Sequence, residues 1–98
     1  MMKALFIAFN QAYNDEIVDL LARRGQRGFT RWNDILGRGS VDGEPHYGNH
    51  AWPVQNMAIL AMVDDALVAP LLADLEATDK ASPDLGLRAF VWDIEKSY

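Results

Sequence analysis

Two apolar segments, each followed by an amphipathic segment, constrain the fold of this chain more than any other feature. Residues 3–9 and 54–63 are apolar runs whose length and residue types predict strands buried on both faces. Apolar residues at helical spacing follow each run: Ile17, Leu20 and Leu21 after the first, and Val68, Leu71 and Leu72 after the second. The two halves of the chain therefore repeat one strand–helix pattern.

Polar residues indicate where each helix begins. Asn14 or Asp15 can accept a hydrogen bond from the free N–H groups of a first helix, which we predict over residues 15–24. Residues 64–65, both aspartates, are interpreted as the cap of the second helix. Pro70 lies just past the first turn of a helix that begins at position 65. Either that turn is irregular or the helix begins later.

Two further strands complete the order β-α-β-loop-β-α-β. Residues 29–36 are rich in residue types that favour strands, and residues 86–94 form the last apolar run. The order predicts an α+β, ferredoxin-like βαββαβ fold, with a four-stranded antiparallel sheet and two helices on one face. The 98 residues predict a single domain over positions 1–98. Partner subunits are the natural cover for the other face of the sheet.

A long connection, residues 37–53, joins the second and third strands. It contains four glycines, two prolines and both histidines of the chain. Loops of this length in a compact domain are usually functional or disordered. Two interpretations stay open, a flexible crossover and a binding loop. The aromatic residues of the segment favour the binding loop, because generic linkers are poor in them.

Charge and composition exclude several classes of function. The net charge of −5 argues against non-specific binding of nucleic acid, which needs clustered Lys and Arg. The absence of cysteine excludes disulfides, thiolate metal sites and cysteine nucleophiles. No segment reaches the roughly 18 apolar residues that span a bilayer, and the first apolar run is too short for a signal peptide. We therefore expect a cytoplasmic protein without an integral membrane segment.

With these residues in view, the sequence resembles the PII signalling superfamily, meaning nitrogen regulatory protein P-II and its PII-like relatives. Residues 25–39 resemble the family's strand that runs into a glycine- and arginine-containing segment at the base of the T-loop. Residues 56–65 resemble the strand that ends in a short acidic turn before the second helix. Residues 86–94 resemble the segment that closes the family's nucleotide cleft. The resemblance covers nearly the whole chain in register.

The resemblance implies a homotrimer whose sheets line a central barrel, with a T-loop over residues 37–53. It also implies clefts between subunits for adenine nucleotides. Five residues are the candidates for cofactor binding: Gly37, Arg38, Gly39, Gly86 and Arg88. The Gly-Arg-Gly run can offer N–H groups and a guanidinium to an anion, or serve as a loop hinge. Arg88, which replaces the family's lysine, can contact phosphate or pair with Asp84 or another acidic neighbour.

Glu44, His46 and His50 are the candidates for a metal site. Imidazole and carboxylate groups suit divalent Zn, Cu or Ni, and a trimer could bring several such loops together. Their spacing is not a specific metal signature, so the alternative is that both histidines are solvated loop residues.

The sequence therefore predicts a PII-like signalling trimer that senses a small molecule, with an adenine nucleotide as a candidate cofactor. Ligand binding would order residues 37–53 and change their affinity for a partner protein. The alternative is a metal-binding trimer like the CutA divalent-cation tolerance proteins. No Ser/His/Asp triad or other catalytic arrangement is recognisable, so we do not expect an enzyme.

Overall fold

The computed structural model describes residues 1–35 and 55–98. The elements in chain order are β1 (Met2–Asn10), a short 3-10 helix (Gln11–Tyr13), α1 (Asn14–Arg23), β2 (Thr30–Ile35), β3 (Asn56–Asp64), α2 (Asp65–Ala81) and β4 (Arg88–Asp93). Each predicted strand and helix is present, with its ends shifted by a few residues. No helix of the described part is both long and apolar enough to cross a membrane.

The four strands form one antiparallel sheet in the order β2-β3-β1-β4. β1 lies between β3 and β4, and Phe6 is paired with Leu60 on one side and with Phe90 on the other. The two helices lie on one face of this sheet, which is the ferredoxin-like βαββαβ arrangement that the sequence predicts. The predicted fold is confirmed.

Alternate residues of the central strands face the helices and form the core. Leu5, Ile7 and Phe9 of β1 are buried together with Ile59 and neighbouring residues of β3. The helices contribute apolar stripes at the predicted spacing. Ile17, Leu20 and Leu21 of α1 and Leu71 of α2 are buried, Leu75 joins them one turn further on, and Val68 and Leu72 are partly buried against the core. Burying each of these large side chains stabilises the fold by about 1.5–3 kcal/mol.

The opposite face of the sheet carries large apolar residues that no helix covers. We call this surface the open face and define it by six residues: Phe6, Trp32, Leu60, Met62, Phe90 and Trp92. Phe90 is 56% exposed and Trp92 is 49% exposed, while Trp32 and Met62 are 45% and 44% exposed. Side chains alternate between the faces of a strand, so the same register that buries the core side chains places these residues on the other side.

The side-chain cap predicted for the first helix is wrong. Tyr13 occupies the N-cap position of α1, and no side chain caps this helix. The 3-10 helix begins the turn earlier, where Oδ1 of Asn10 accepts a hydrogen bond from the N–H of Ala12 at 2.9 Å. The chain has therefore already turned when it reaches Asn14 and Asp15.

The second helix also begins without a side-chain cap. Asp64 occupies its N-cap position, as predicted, but makes no capping hydrogen bond. Its carboxylate instead lies 3.9 Å from the amino group of Met1, and the N–H of Asp65 donates to the Met1 carbonyl at 2.8 Å. A later helix start is excluded, since α2 begins at Asp65 and continues through Pro70. Pro70 has no N–H to donate to the carbonyl of Ala66.

Candidate functional site

The described ends of the long connection and the start of β4 lie at the same end of the sheet. Ile35, at the end of β2, and Asn10, at the end of β1, are both paired with Asn56 at the start of β3. Arg88, the first residue of β4, is paired with Ala8 only two positions away along β1. Residues 82–88, called the 82–88 segment below, therefore lie at the same end of the sheet as Ile35 and Asn56.

Asn10 attaches the 82–88 segment to β1. Its N–H donates to the carbonyl of Leu85 at 2.9 Å, and its side-chain Nδ2 donates to the carbonyl of Asp84 at 3.1 Å. Asn10 is only 6% exposed, so these bonds are shielded from water. A buried amide that meets its hydrogen-bonding needs in this way fixes the position of the backbone that it contacts.

A second contact attaches the same segment to α2. Oδ1 of Asp79 accepts a hydrogen bond from the N–H of Leu87 at 3.1 Å. Leu85 and Leu87 are buried in the core, and Gly86 lies between them with a φ of +59°. That left-handed conformation costs residues with a Cβ about 1–2 kcal/mol, which explains why a glycine stands here. The predicted strand over residues 86–94 thus begins only at Arg88, because its first two residues belong to this turn.

Arg88 is the basic residue of the 82–88 segment. It is exposed and points to the same side of the sheet as the open face, since Phe90 and Trp92 follow at alternate positions. Nη1 of Arg88 donates to the carbonyl of Leu87 at 2.7 Å. Within residues 1–35 and 55–98 it forms no ion pair, either with Asp84 or with another acidic neighbour. The other N–H groups of the guanidinium can donate to an anion.

The remaining candidate residues lie outside the described part of the chain. Gly37, Arg38 and Gly39 were predicted to bind a cofactor, and Glu44, His46 and His50 were predicted to bind a metal. Both assignments stay predictions. Among the described residues there is no group of three or more His, Cys, Asp or Glu that could hold a metal ion.

The sequence did not identify Asn10 and Asp79 as residues of this site. The one signal for Asn10 is a polar side chain directly after the apolar run of residues 3–9. Asp79 carries no signal, because an acidic residue near the end of an amphipathic helix is usually solvated. Their shared role is visible only once β1, α2 and the 82–88 segment are placed together.

A second surface feature is a groove of about 440 Å³ between the two helices. It is lined by Leu20, Arg23, Arg24, Asp74, Ala77 and Thr78. Arg24 donates two hydrogen bonds to Asp74, at 2.7 and 3.0 Å, and these bonds hold the pKa of the Asp74 carboxyl below its usual value. The groove shares no residue with the 82–88 segment.

Comparison with known proteins agrees with the fold. No protein-family model matches the sequence, and no curated protein matches it either. Solved structures do match. CPII from Thiomonas intermedia K12, bound to ADP and bicarbonate, is 30% identical with a TM-score of 0.78, and the alignment covers 95% of this chain and 85% of CPII.

Two other solved structures extend the comparison. A structure of CPII bound to ADP, AMP and bicarbonate is 28% identical with a TM-score of 0.76, and the alignment covers 99% of this chain and 93% of CPII. CPII is described there as a nitrogen regulatory PII-like protein. A DUF3240 family protein from Shewanella baltica OS155 shares the fold at 22% identity, with a TM-score of 0.69 and coverage of 99% and 93%.

The four-stranded antiparallel sheet with two helices on one face defines a ferredoxin-like α+β fold, and the similar solved structures include nitrogen regulatory PII-like proteins. The 30% identity with CPII over most of both chains is what assigns the family. This chain belongs to the PII-like superfamily.

Proposed function

We propose that this protein is a cytoplasmic PII-like sensor, not an enzyme, that binds an adenine nucleotide beside the 82–88 segment and regulates a partner protein through residues 37–53. The structure of CPII with ADP and bicarbonate, at 30% identity, supports the class of ligand. The observation in this chain that carries the proposal is the exposed Arg88 at the end of a backbone segment that is fixed from both sides.

The geometry of the segment suits a phosphate group. Gly86 has no side chain, so a ligand can approach its backbone closely. Arg88 follows two residues later with N–H groups available for a bidentate, charge-assisted contact, which is the geometry that guanidinium groups make with phosphate. The buried side chains of Leu85 and Leu87 hold this arrangement before the ligand arrives, so little ordering would be needed on binding.

The open face supports assembly into a trimer, as the resemblance to PII proteins implies. Its four most exposed large side chains present on the order of 400 Å² of surface, at about 200 Å² for each full side chain. That is about the size of the largest apolar patch on a typical monomer, and such a patch is often functional. Three copies packed through this face would bury it around a common axis.

Assembly would also complete the nucleotide site. Ile35, the last described residue before the Gly-Arg-Gly run, lies on β2, whereas Arg88 lies on β4 at the opposite edge of the sheet. The two edges are separated by three strand spacings, or roughly 14 Å. A neighbouring copy, which places its β2 edge against the β4 edge of the first, would bring the two groups of candidate residues to one cleft.

The test is calorimetric titration of the purified protein with ADP, AMP and ATP, each with and without bicarbonate. We expect saturable binding of at least one nucleotide, weakened about 10- to 100-fold by Arg88→Ala, since a charge-assisted hydrogen bond contributes about 1.5–3 kcal/mol. Arg23→Ala is the matched control, because Arg23 is also exposed but lines the separate groove between the helices.

Two results would contradict the proposal. The first is that no nucleotide binds with or without bicarbonate. The second is that Arg88→Ala and Arg23→Ala weaken nucleotide binding equally. Nucleotide affinity would then depend only on the net charge of the protein.

A further inference from the structure

The hydrogen bonds of Asn10 and Gln11 join the end of β1 to three other parts of the chain. Its Nδ2 reaches the carbonyl of Asp84, and its Oδ1 accepts from Ala12 at the start of the 3-10 helix. The next residue, Gln11, donates its N–H to the carbonyl of Gln55 at 2.9 Å, directly before β3. The end of β1 is therefore the common anchor for the 82–88 segment, the first helical turn and the start of β3.

Asp79 holds the same segment from the other side, through the N–H of Leu87. The backbone between Asp84 and Leu87 is thus attached to β1 at one end and to α2 at the other. We call these two attachments the clamp, made by Asn10 and Asp79. Neither side chain needs to touch a ligand to influence it, because each acts on backbone that leads directly into Arg88.

We propose that Asn10 and Asp79 are positioning residues for the nucleotide site, an inference that rests on the proposed function. Asn10 suits this role because a carboxamide offers a donor and an acceptor in one planar group. The donor is used by the 82–88 segment and the acceptor by Ala12, so both halves of the amide are engaged. The clamp fixes Gly86 and Arg88 in place before ligand binding.

Substitutions can separate the two halves of the amide. Asn10→Asp keeps an oxygen for Ala12 but replaces the donor by a carboxylate oxygen that faces the carbonyl of Asp84. Asp79→Ala removes the acceptor for Leu87, whereas Asp79→Asn retains an oxygen at the same position. Ile7→Val serves as the structural control: Ile7 is fully buried on β1, and the substitution lowers global stability without changing a polar contact.

The first measurement is amide hydrogen exchange of the ligand-free protein. We expect Asn10→Asp and Asp79→Ala to speed exchange within residues 82–88 about tenfold relative to the amides of β3, as the loss of one hydrogen bond predicts. Asp79→Asn restores the exchange rates of the wild type. Ile7→Val speeds exchange in the 82–88 segment and in β3 by the same factor, because it lowers only the global stability. Equal acceleration of β3 and the 82–88 segment in the first two variants would overturn the clamp.

The second measurement is titration of the same variants with ADP. We expect the Kd to rise about tenfold in Asn10→Asp and in Asp79→Ala, and to stay within about twofold of the wild type in Asp79→Asn and Ile7→Val. Faster exchange with unchanged ADP affinity would overturn the positioning role. If the wild type binds AMP or ATP but not ADP, the same titration is made with that nucleotide. If the wild type binds none of the three, the proposed function is refuted and the positioning role with it, while the exchange rates still decide whether the clamp exists. Because Asp79 is only partly buried, its variants keep the test decisive if Asn10→Asp does not fold.

Discussion

Replacing Phe90 by glutamate is expected to dissociate the protein into folded monomers. Phe90 lies on the edge strand β4 at the open face and is 56% exposed within one chain. It is paired with Phe6, which is itself only partly buried. A carboxylate at position 90 can reach water in the monomer, so the fold of the single chain tolerates it. In the proposed trimer the same carboxylate would be forced into an apolar interface.

The size of the effect follows from the exposed area of this side chain. A phenylalanine that is 56% exposed offers on the order of 100 Å² of apolar surface to a neighbouring copy. At about 25 cal/mol per Å², the loss of this burial costs about 2.5 kcal/mol per subunit. Over three subunits the loss is about 7.5 kcal/mol, or roughly five orders of magnitude in the assembly constant. Desolvation of the carboxylate increases this cost further.

Sedimentation velocity over a range of micromolar concentrations measures the outcome directly. We expect the wild type to sediment as a trimer and Phe90→Glu as a monomer with an unchanged circular-dichroism spectrum. Ala73→Glu is the matched control, since it places the same charge on an exposed position of α2. A wild type that is monomeric at all concentrations, or a trimer that survives Phe90→Glu, would refute the assignment of the open face as the interface.

Two further predictions concern stability. Asp34 has a φ of 55° at the irregularity between β2 and β3. Asp34→Val should therefore lower the free energy of unfolding by about 1–2 kcal/mol, whereas Asp34→Gly should leave it within about 1 kcal/mol of the wild-type value. Equal effects of the two substitutions in urea denaturation would contradict this. The hydrogen bonds from Arg24 lower the pKa of Asp74 in the folded state, so their contribution is present above the carboxyl's unfolded pKa and is lost as the pH falls through the folded pKa. Urea denaturation from pH 7 to pH 2 should therefore show a smaller acid-induced loss of stability in Asp74→Asn than in the wild type, and identical losses would show that the pair does not stabilise the fold.

The elements of the fold could be predicted because apolar spacing determines them. Leu71 and Leu75 follow a helical period that survives Pro70, and their complete burial explains why α2 continues through a residue that usually interrupts helices. Tertiary packing here outweighs one missing hydrogen bond. The caps predicted at Asn14 and Asp15 failed for a related reason, since the chain turns one step earlier, in the 3-10 helix.

The clamp could not be predicted, because its contacts join a side chain to backbone atoms far away in the sequence. Asn10 and Asp84 are 74 residues apart. The acceptor is a backbone carbonyl, which every residue type has, so the sequence does not show which residue provides it. Arg88 could be proposed as an anion ligand from its place on the last strand, but its hydrogen bond to the Leu87 carbonyl could not. Residue type therefore makes Arg88 a candidate ligand, and only the structure shows the contacts that hold the backbone beside it.

Arg88 and Phe90 lie two positions apart on the same side of β4, so under the proposed function ligand binding and assembly are thermodynamically linked. A nucleotide that binds between copies stabilises the trimer, and the trimer in turn supplies the second wall of the cleft. Removing Phe90 would then weaken nucleotide binding even though its apolar side chain offers no contact to phosphate. If each chain instead carried a complete site, nucleotide affinity would be the same in the monomeric Phe90→Glu variant as in the wild type. The concentration dependence of ADP affinity therefore distinguishes a site formed between subunits from a site within one chain, and the separation of β2 and β4 across the sheet favours the former.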